Sequence, residues 1–384
     1  MIRTLFAKIH LWLAVPAGLI ITVICLTGAI LVFEDELLQL RFPDRYFVAQ
    51  EQVGEPLPLH ELIPIVNAQL DTNSVANVRI WADKERTYAF GLKNGFRITA
   101  YANPYTGEVT GVHVLRETFF FKMMALHRWL MDGTRTWGKQ IVGVSTVLFI
   151  VILISGIIIW IPKNKKALKA HLSVQFKMGF KRFWRDLHIS VGMYASIFLL
   201  LSALTGLMWS FEGYRNQVVR LFRAEVQSSG GHGVGQRSGG QGQQGGQGRD
   251  RGGLNSGNAL NVIHWQSVVT TLAHQNQGFQ NMRIQDGSAS VLTKDAPHGR
   301  ATDQYQFNAE TGEISASKLY AQTHDAGKIM GWAYALHVGD YWGIVGKILA
   351  FSASLIGASL PLTGYYMWYV RSKRARKNRK LLQV

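Results

Sequence analysis

The chain has 384 residues and a formal net charge of +17 at neutral pH. The excess positive charge lies in short segments separated by long, nearly neutral ones, which argues against a nucleic-acid-binding protein. The single cysteine, Cys25, excludes an intramolecular disulfide, so any extracytoplasmic part must fold without one.

Four stretches of the sequence contain no Asp, Glu, Lys or Arg. They are residues 9–33, 140–162, 187–211 and 348–370. Each is long enough to cross a hydrocarbon core of ~30 Å as a helix rising ~1.5 Å per residue. The first stretch is longer than the apolar region of a signal peptide and no small-residue cleavage site follows it, so we predict a retained first span.

Short basic segments predict the orientation of these spans. Residues 1–8, 163–185 and 371–380 carry basic side chains and no acidic ones. Because basic residues are retained on the cytoplasmic side, both termini and the loop at 163–185 are expected in the cytoplasm. The two long segments between spans are then extracytoplasmic.

The same pattern of residues occurs twice along the chain, in the same order. In both the first and third spans a histidine precedes a Thr-Gly pair by seventeen residues. The matching residues are His10, Thr27, Gly28 and Phe33 in the first span and His188, Thr205, Gly206 and Phe211 in the third. In the second and fourth spans they are Gly138, Lys139, Gly156 and Trp160, and Gly346, Lys347, Gly364 and Trp368. This self-similarity predicts a tandem duplication.

The two outer segments also match each other. A Thr-Gly-Glu sequence at 106–108 and again at 311–313 is typical of a turn between two strands. Residues 87–92 and 288–292 are predicted strands, and residues 59–70 and 265–275 are predicted helices. Each outer segment is therefore predicted to be a small α+β domain. Residues 228–258 are rich in Gly, Gln and Ser and are predicted to be disordered.

Several motifs resemble the PepSY-associated transmembrane family of bacterial inner-membrane proteins. They are Lys8-Ile9-His10, Leu126-His127-Arg128-Trp129, Asp186-Leu187-His188 and the repeated Thr-Gly and Thr-Gly-Glu sequences. Within that family the sequence is most similar to the FoxB-type ferric-siderophore reductases. The resemblance implies two b-type haems, an inner-membrane location and reduction of ferric siderophores in the periplasm. It implies a mainly α membrane protein with four transmembrane helices in two tandem repeats and two small α+β, PepSY-like periplasmic domains.

The expected boundaries follow the charge and repeat patterns. They are a first span at 1–38, a first periplasmic domain at 39–125, a second span with its lead-in helix at 126–162, a basic loop at 163–185, a third span at 186–214, a second periplasmic domain at 215–335, a fourth span at 336–370 and a basic tail at 371–384.

Four of the twelve histidines stand out by position. His10 and His188 begin the outward spans, and His127 and His337 precede the inward spans. Ionisable residues at or within spans are costly, which favours a function for them. A pseudo-twofold axis along the membrane normal would place His10 opposite His188 and His127 opposite His337. We therefore predict that each pair supplies both axial ligands of a b-type haem, an arrangement that suits electron transfer.

Other residues are expected to support these pairs or to stand apart from them. Lys8 and Arg185 near the first pair and Arg128 near the second are predicted to bind haem propionates, although topology alone would also account for the charges. His171 is the best substitute ligand if the symmetric pairing fails, but a headgroup-facing role is preferred. The histidines of the outer domains are expected at the surface.

The resulting hypothesis is a di-haem electron conduit whose acceptor is a ferric siderophore. No nucleotide or flavin motif occurs, so the donor must be separate, either a cytoplasmic reductase or a quinol. Membrane lipid is the expected environment and no nucleic acid is an expected partner. The main alternative is a non-redox membrane protein that binds or regulates a periplasmic partner such as a protease. A transporter has little support because the spans carry no mid-membrane charge.

Overall fold

The computed structural model describes residues 2–71, 73–162, 164–229 and 261–381. All but the first two residues of the predicted disordered insert at 228–258 lie outside these ranges. Contacts divide the chain into two units. The helical unit comprises Met1–Phe33, Lys122–Gly246 and Leu336–Val384, and the sheet unit comprises Glu34–Phe121 and Gln247–Ala335.

The secondary structure is mainly helical. The helices are α1 (Ile2–Val32), α2 (Glu34–Arg41), α3 (Pro43–Tyr46), α4 (Leu59–Ala68), α5 (Phe119–Trp129), α6 (Trp137–Trp160), α7 (Lys165–His171), α8 (Phe180–Asp186), α9 (Gly192–Ser210), α10 (Glu212–Ser229), α11 (Trp265–Gln275), α12 (Asp325–Val338) and α13 (Gly343–Leu381). A π-helical turn, Leu187–Val191, joins α8 to α9. The strands are β1 (Val75–Trp81), β2 (Tyr88–Leu92), β3 (Ile98–Ala102), β4 (Val109–Val114), β5 (Phe279–Gln285), β6 (Ser288–Thr293), β7 (Asp303–Phe307) and β8 (Ile314–Lys318).

Four helical segments of the described chain are long and apolar enough to cross a membrane. They are Ile2–Val32, Trp137–Trp160, Phe180–Ser210 and Asp340–Arg374. The four predicted spans are thus confirmed as continuous helical segments. Because every backbone polar group inside such a helix is satisfied internally, these segments are compatible with a lipid environment.

The four spans pack as a bundle in the helical unit. α1 contacts α6 and α13, and α9 contacts the same two helices, so α1 and α9 lie diagonally across the bundle. Its centre is filled by large side chains such as Ile21, Phe149 and Leu199 and by several buried alanines. Small residues let helix backbones approach closely. Residues of α1 and of the turn preceding α9 can therefore meet across the bundle.

A tight turn fixes α5 against the start of α6. The Asp132 carboxylate accepts hydrogen bonds from the backbone N–H groups of Thr136 and Gly138, at 2.9 and 3.1 Å, and so caps α6. Hydrogen bonds, first that from the Thr134 hydroxyl, lower the pKa of Asp132 to about 2. Leu130 has a φ of 50°, a conformation that is unfavourable without glycine. The turn therefore holds a strained connection immediately after the helix that carries His127.

The sheet unit contains one eight-stranded antiparallel sheet in the order β4-β3-β2-β1-β5-β6-β7-β8. The central pair, β1 and β5, joins a strand of the first outer segment to a strand of the second. The expectation of two separate small α+β domains is therefore wrong: both segments build one domain. Pairing β1 with β5 satisfies two strand edges that separate domains would leave exposed.

One hydrophobic core serves both segments of this unit. The helices α4 and α11 cover one face of the sheet, where Leu62, Val66, Trp265 and Leu272 are fully buried. The predicted helices and strands of the outer segments are confirmed, with small differences at their ends. The predicted Thr-Gly turns are confirmed by Gly107 and Gly312, whose φ angles of +78° and +74° favour glycine.

The shared core gives a direct test. Replacing Leu62 with alanine should destabilise the sheet unit by about 2–5 kcal/mol, because it leaves a cavity in a fully packed site. Since the core is common, hydrogen exchange of the full-length protein should accelerate in β5 and β6 as well as in β1 and β2. Val112→Ala, at a 41% exposed position, is the matched control. Faster exchange confined to β1–β4 would contradict a single folding unit.

Candidate functional site

Two pairs of histidines meet inside the helical unit. His10 of α1 and His188 of the π-helical turn have ring centres 6.3 Å apart. His127 of α5 and His337 of α12 have ring centres 6.2 Å apart. The structure therefore brings together both pairs that the repeat pattern predicted, each with one histidine from either half of the sequence.

Each imidazole is held through its Nδ1 atom by the neighbouring span. Every partner is a main-chain carbonyl, a serine or threonine hydroxyl, or both. Nδ1 of His10 lies 3.0 Å from Ile152 O and 3.1 Å from Ser155 Oγ, and Nδ1 of His188 lies 2.8 Å from Thr363 Oγ1. Nδ1 of His127 lies 2.8 Å from Ile24 O and 3.3 Å from Thr27 Oγ1. Nδ1 of His337 lies 2.9 Å from Ser202 O and 3.1 Å from Thr205 Oγ1.

These contacts determine which ring nitrogen carries the proton. A carbonyl can only accept, so Nδ1 of His10, His127 and His337 must donate. The Thr363 hydroxyl already donates to Leu360 O at 2.8 Å, so it accepts from Nδ1–H of His188. The lone pair then lies on Nε2 in all four rings. In the part of the chain that the structure describes, no hydrogen-bonding partner contacts these four Nε2 atoms.

A glycine beside each hydroxyl makes room for the ring. A Cβ atom added to these glycines would lie close to Cε1 of the facing histidine: 3.0 Å for Gly28 and His127, 3.2 Å for Gly206 and His337, 3.3 Å for Gly156 and His10, and 3.7 Å for Gly364 and His188. Each span therefore carries one hydroxyl-glycine dipeptide that receives one imidazole. We name these four dipeptides, Thr27-Gly28, Ser155-Gly156, Thr205-Gly206 and Thr363-Gly364, the histidine seats.

The spacing within each pair is compatible with two imidazoles that bind the same metal ion. Two metal–nitrogen bonds of about 2 Å, with about 1.2 Å from each nitrogen to its ring centre, place the ring centres about 6.4 Å apart. The observed separations are 6.3 and 6.2 Å. Among the described residues, no group of three or more His, Cys, Asp or Glu side chains could hold a metal ion. Sites of two histidines suit haem, whose porphyrin supplies the other ligands, better than zinc.

The family model described as the PepSY-associated TM region matches residues 7–371. The chain belongs to the PepSY-associated transmembrane family. The match includes both histidine pairs and all four histidine seats. No curated protein gives a significant match.

Electrostatics in this PepSY-associated transmembrane protein favour neutral imidazoles at the second pair. Burial lowers the pKa of His127, although the hydrogen bond to Ile24 raises it, and the charge of Arg128 lowers it further. Burial and then the neighbouring His127 lower the pKa of His337 to about 4. A neutral imidazole is the form that binds a metal ion.

The three predicted propionate-binding residues differ in their surroundings. Lys8 is an exposed residue of α1, two positions before His10. Arg128 acts on both His127 and His337 through its charge and lies over the Trp129 ring at 5.7 Å from its centre. Arg128 is thus placed to act on an anion at the second pair.

Arg185 is already engaged by an acid. Its guanidinium lies 3.2 Å from the carboxylate of Asp186, and Arg182 lies 2.7 Å from the same buried group. The charge of Arg185 is therefore partly balanced within α8, which the sequence interpretation had not anticipated.

The remaining histidines are not part of either pair. His171 donates from Nδ1 to Trp160 O at 2.8 Å and, within the described residues, forms no ring contact with another histidine. His298 is buried and lies 3.1 Å from the Tyr320 hydroxyl, so the expectation of a surface position is wrong for it. His232 lies outside the described residues. Ser155 and Thr363 were not predicted as ring partners; the signal for them in the sequence is the repeated hydroxyl-glycine dipeptide.

Proposed function

We propose that this protein is a di-haem oxidoreductase of the bacterial inner membrane that reduces ferric siderophores from Fe(III) to Fe(II) at the periplasmic face. The observation that carries the proposal is the spacing of the two histidine pairs, 6.3 and 6.2 Å between ring centres. Haem held by both pairs would supply one-electron iron couples near the two ends of the bundle.

The separation between the pairs supports a role across the membrane. His10 and Thr27, the residue that contacts His127, are seventeen positions apart on α1. This corresponds to about 25 Å along the helix, comparable to the thickness of the hydrocarbon core. The basic segments at 163–185 and 371–380 favour the His10–His188 pair on the cytoplasmic side.

The protein's own groups would hold and tune the cofactor ligands. Carbonyl and hydroxyl acceptors fix the rotation of each imidazole and increase the basicity of Nε2. The apolar side chains at the bundle centre, among them Ile21 and Leu199, are buried and would keep water from the space between the two pairs. With both histidines of a pair bound to its iron, a haem would have no open site, which would favour electron transfer over oxygen binding.

The reaction balances with a separate electron donor. A membrane quinol would release two electrons and two protons and so reduce two ferric chelates; a cytoplasmic reductase is the other class of donor. Siderophore oxygen ligands are hard and prefer Fe(III), so one-electron reduction weakens the chelate and releases iron.

Absorption spectroscopy tests the proposal. The purified full-length protein should contain two haems per chain, with a Soret band and sharp α and β bands after dithionite. Adding a ferric siderophore to the reduced protein without oxygen should reoxidise these bands and form Fe(II), measured with a ferrous-specific dye. Colourless protein from haem-replete cells would exclude the proposal and favour the non-redox alternative. Haem that a ferric siderophore does not oxidise would exclude this acceptor.

A further inference from the structure

Another histidine of the helical unit is held in the same way as the four paired ones. Nδ1–H of His171, the last residue of α7, donates to Trp160 O at 2.8 Å. The lone pair of this ring therefore lies on Nε2. In the part of the chain that the structure describes, no donor contacts Nε2 of His171 and no other histidine faces the ring. The ring thus offers a hydrogen-bond acceptor that the protein itself does not use.

Contacts with the end of α6 fix the orientation of this ring. Nε1–H of Trp160 donates to His171 O at 3.4 Å, and the centres of the two rings lie 6.0 Å apart. Trp160 therefore holds both the main chain and the side chain of His171. Turning Nε2 towards Trp160 would break the hydrogen bond of Nδ1, which contributes about 0.5–1.5 kcal/mol. Because His171 is only partly buried, its ring is held in place without being enclosed.

The residues around His171 are apolar and lie on the outer surface of the bundle. Tyr194 of α9 is 57% exposed, and its hydroxyl donates at 3.1 Å to the main-chain oxygen of Leu172, the residue after His171. Leu172 is itself exposed, and so is Ile161, the residue after Trp160. Tyr194 lies within the third span, and Trp160 is the last residue of the second. A ligand can therefore approach this surface from the lipid, at the end of the spans.

The same segment is tied to the turn that carries His188. Ser190 follows His188 by two positions, and its hydroxyl donates to Ser173 O at 3.1 Å. Ser173 in turn follows His171 by two positions. This hydrogen bond joins the segment after α7 directly to the π-helical turn. A ligand at His171 would therefore lie close to the His10–His188 pair.

We propose that Nε2 of His171 accepts a hydrogen bond from the hydroxyl group of a membrane quinol. The inference rests on the proposed function and names its electron donor. A quinol has both properties that this place requires, an apolar body that dissolves in lipid and an O–H donor at its polar end. The oxidised form, a quinone, has only carbonyl acceptors and cannot donate to Nε2. The site therefore binds the reduced donor in preference to the oxidised product.

Thermal unfolding in the presence of a quinol tests this site without electron transfer. The full-length protein is placed in liposomes of phosphatidylcholine, a lipid without N–H or O–H donors, and is kept reduced with dithionite. Decylubiquinol should raise the Tm, followed by tryptophan fluorescence, because a ligand that binds the folded state stabilises it. The affinity, obtained from the concentration dependence of the shift, should fall about tenfold in His171→Leu. His171→Gln keeps an acceptor oxygen and should lose less, and Lys169→Gln, a change on the same helix, should bind as the wild type does.

A comparison of the two oxidation states needs no variant. Decylubiquinone, added without dithionite, should raise the Tm of the wild type less than decylubiquinol does. An equal shift from the quinone would overturn the inference, because the quinone has no hydroxyl group to donate.

The remaining outcomes separate this inference from the proposed function. Equal quinol affinity in the wild type and His171→Leu would overturn the inference, and so would the absence of a shift in the wild type, which would favour a cytoplasmic reductase as donor. Loss of haem in His171→Leu would also overturn it, because His171 would then be a haem ligand. Colourless wild-type protein that binds decylubiquinol through His171 would reject the proposed redox function and retain the site.

Discussion

Replacing His127 with alanine is expected to reduce the haem content of the purified protein from two per chain to about one. The ring of His127 lies 6.2 Å from that of His337, and the pair has no third protein ligand among the described residues to replace it. A single remaining histidine would hold a haem only weakly. The haem-to-protein ratio, measured as the pyridine complex against amino-acid analysis, reports the change. His337→Ala should give the same ratio, and His10→Ala combined with His127→Ala should give nearly none.

A buried histidine outside the pairs is the matched control. His298 is buried and contacts the Tyr320 hydroxyl and the Trp332 ring, yet it belongs to neither pair. His298→Ala should keep two haems per chain, and His171→Ala should do the same. If His127→Ala and His337→Ala both retained two haems, the assignment of this pair as axial ligands would be wrong.

The features that the sequence determined well are those set by periodic or repeated patterns. Long uncharged stretches predicted the four spans because a helix in lipid must be apolar over its whole length. The repeat predicted the partners of His10 and His127, since the residues at matching positions of two similar units are related by the same symmetry. The distances within each pair required coordinates, because small shifts between helices leave the sequence pattern unchanged.

The features that the sequence did not determine depend on contacts between distant segments. The alternation of residues in β1 and β5 predicts two strands but does not specify that their edges pair with each other. The two outer segments were therefore expected to form separate domains. The ion pair between the adjacent residues Arg185 and Asp186 is local, but the burial of Asp186 depends on how α8 packs against other segments.

The histidine seats were predicted from the sequence only in part. The dipeptides Thr27-Gly28 and Thr205-Gly206 were recognised as repeated pairs, but no contact was predicted for their glycines. The structure shows that each glycine faces the Cε1 atom of an imidazole. Ser155 and Thr363 were not recognised as a repeated pair because they occupy matching positions of the repeat but are different residue types. Hydroxyl side chains followed by glycine, one in each span, are therefore the pattern to seek in related sequences.

Replacing the glycine of a histidine seat with a larger residue should weaken the binding of one haem, although no ligand is changed. In Gly28→Ala the added Cβ would lie 3.0 Å from Cε1 of His127, closer than ordinary van der Waals contact, whereas in Gly364→Ala it would lie 3.7 Å from Cε1 of His188. Overpacking of this kind costs about 1–3 kcal/mol, equal to roughly 5- to 150-fold in affinity.

Gly28→Ala should shift the low-spin EPR signal of the haem at the His127–His337 pair, and Gly28→Val should lower the haem content to about one per chain. Gly364→Ala should leave both haems and both signals unchanged, because its Cβ meets only normal contacts. Equal effects of the two alanine substitutions would show that general helix crowding, and not the fit of the imidazole to its seat, controls haem binding.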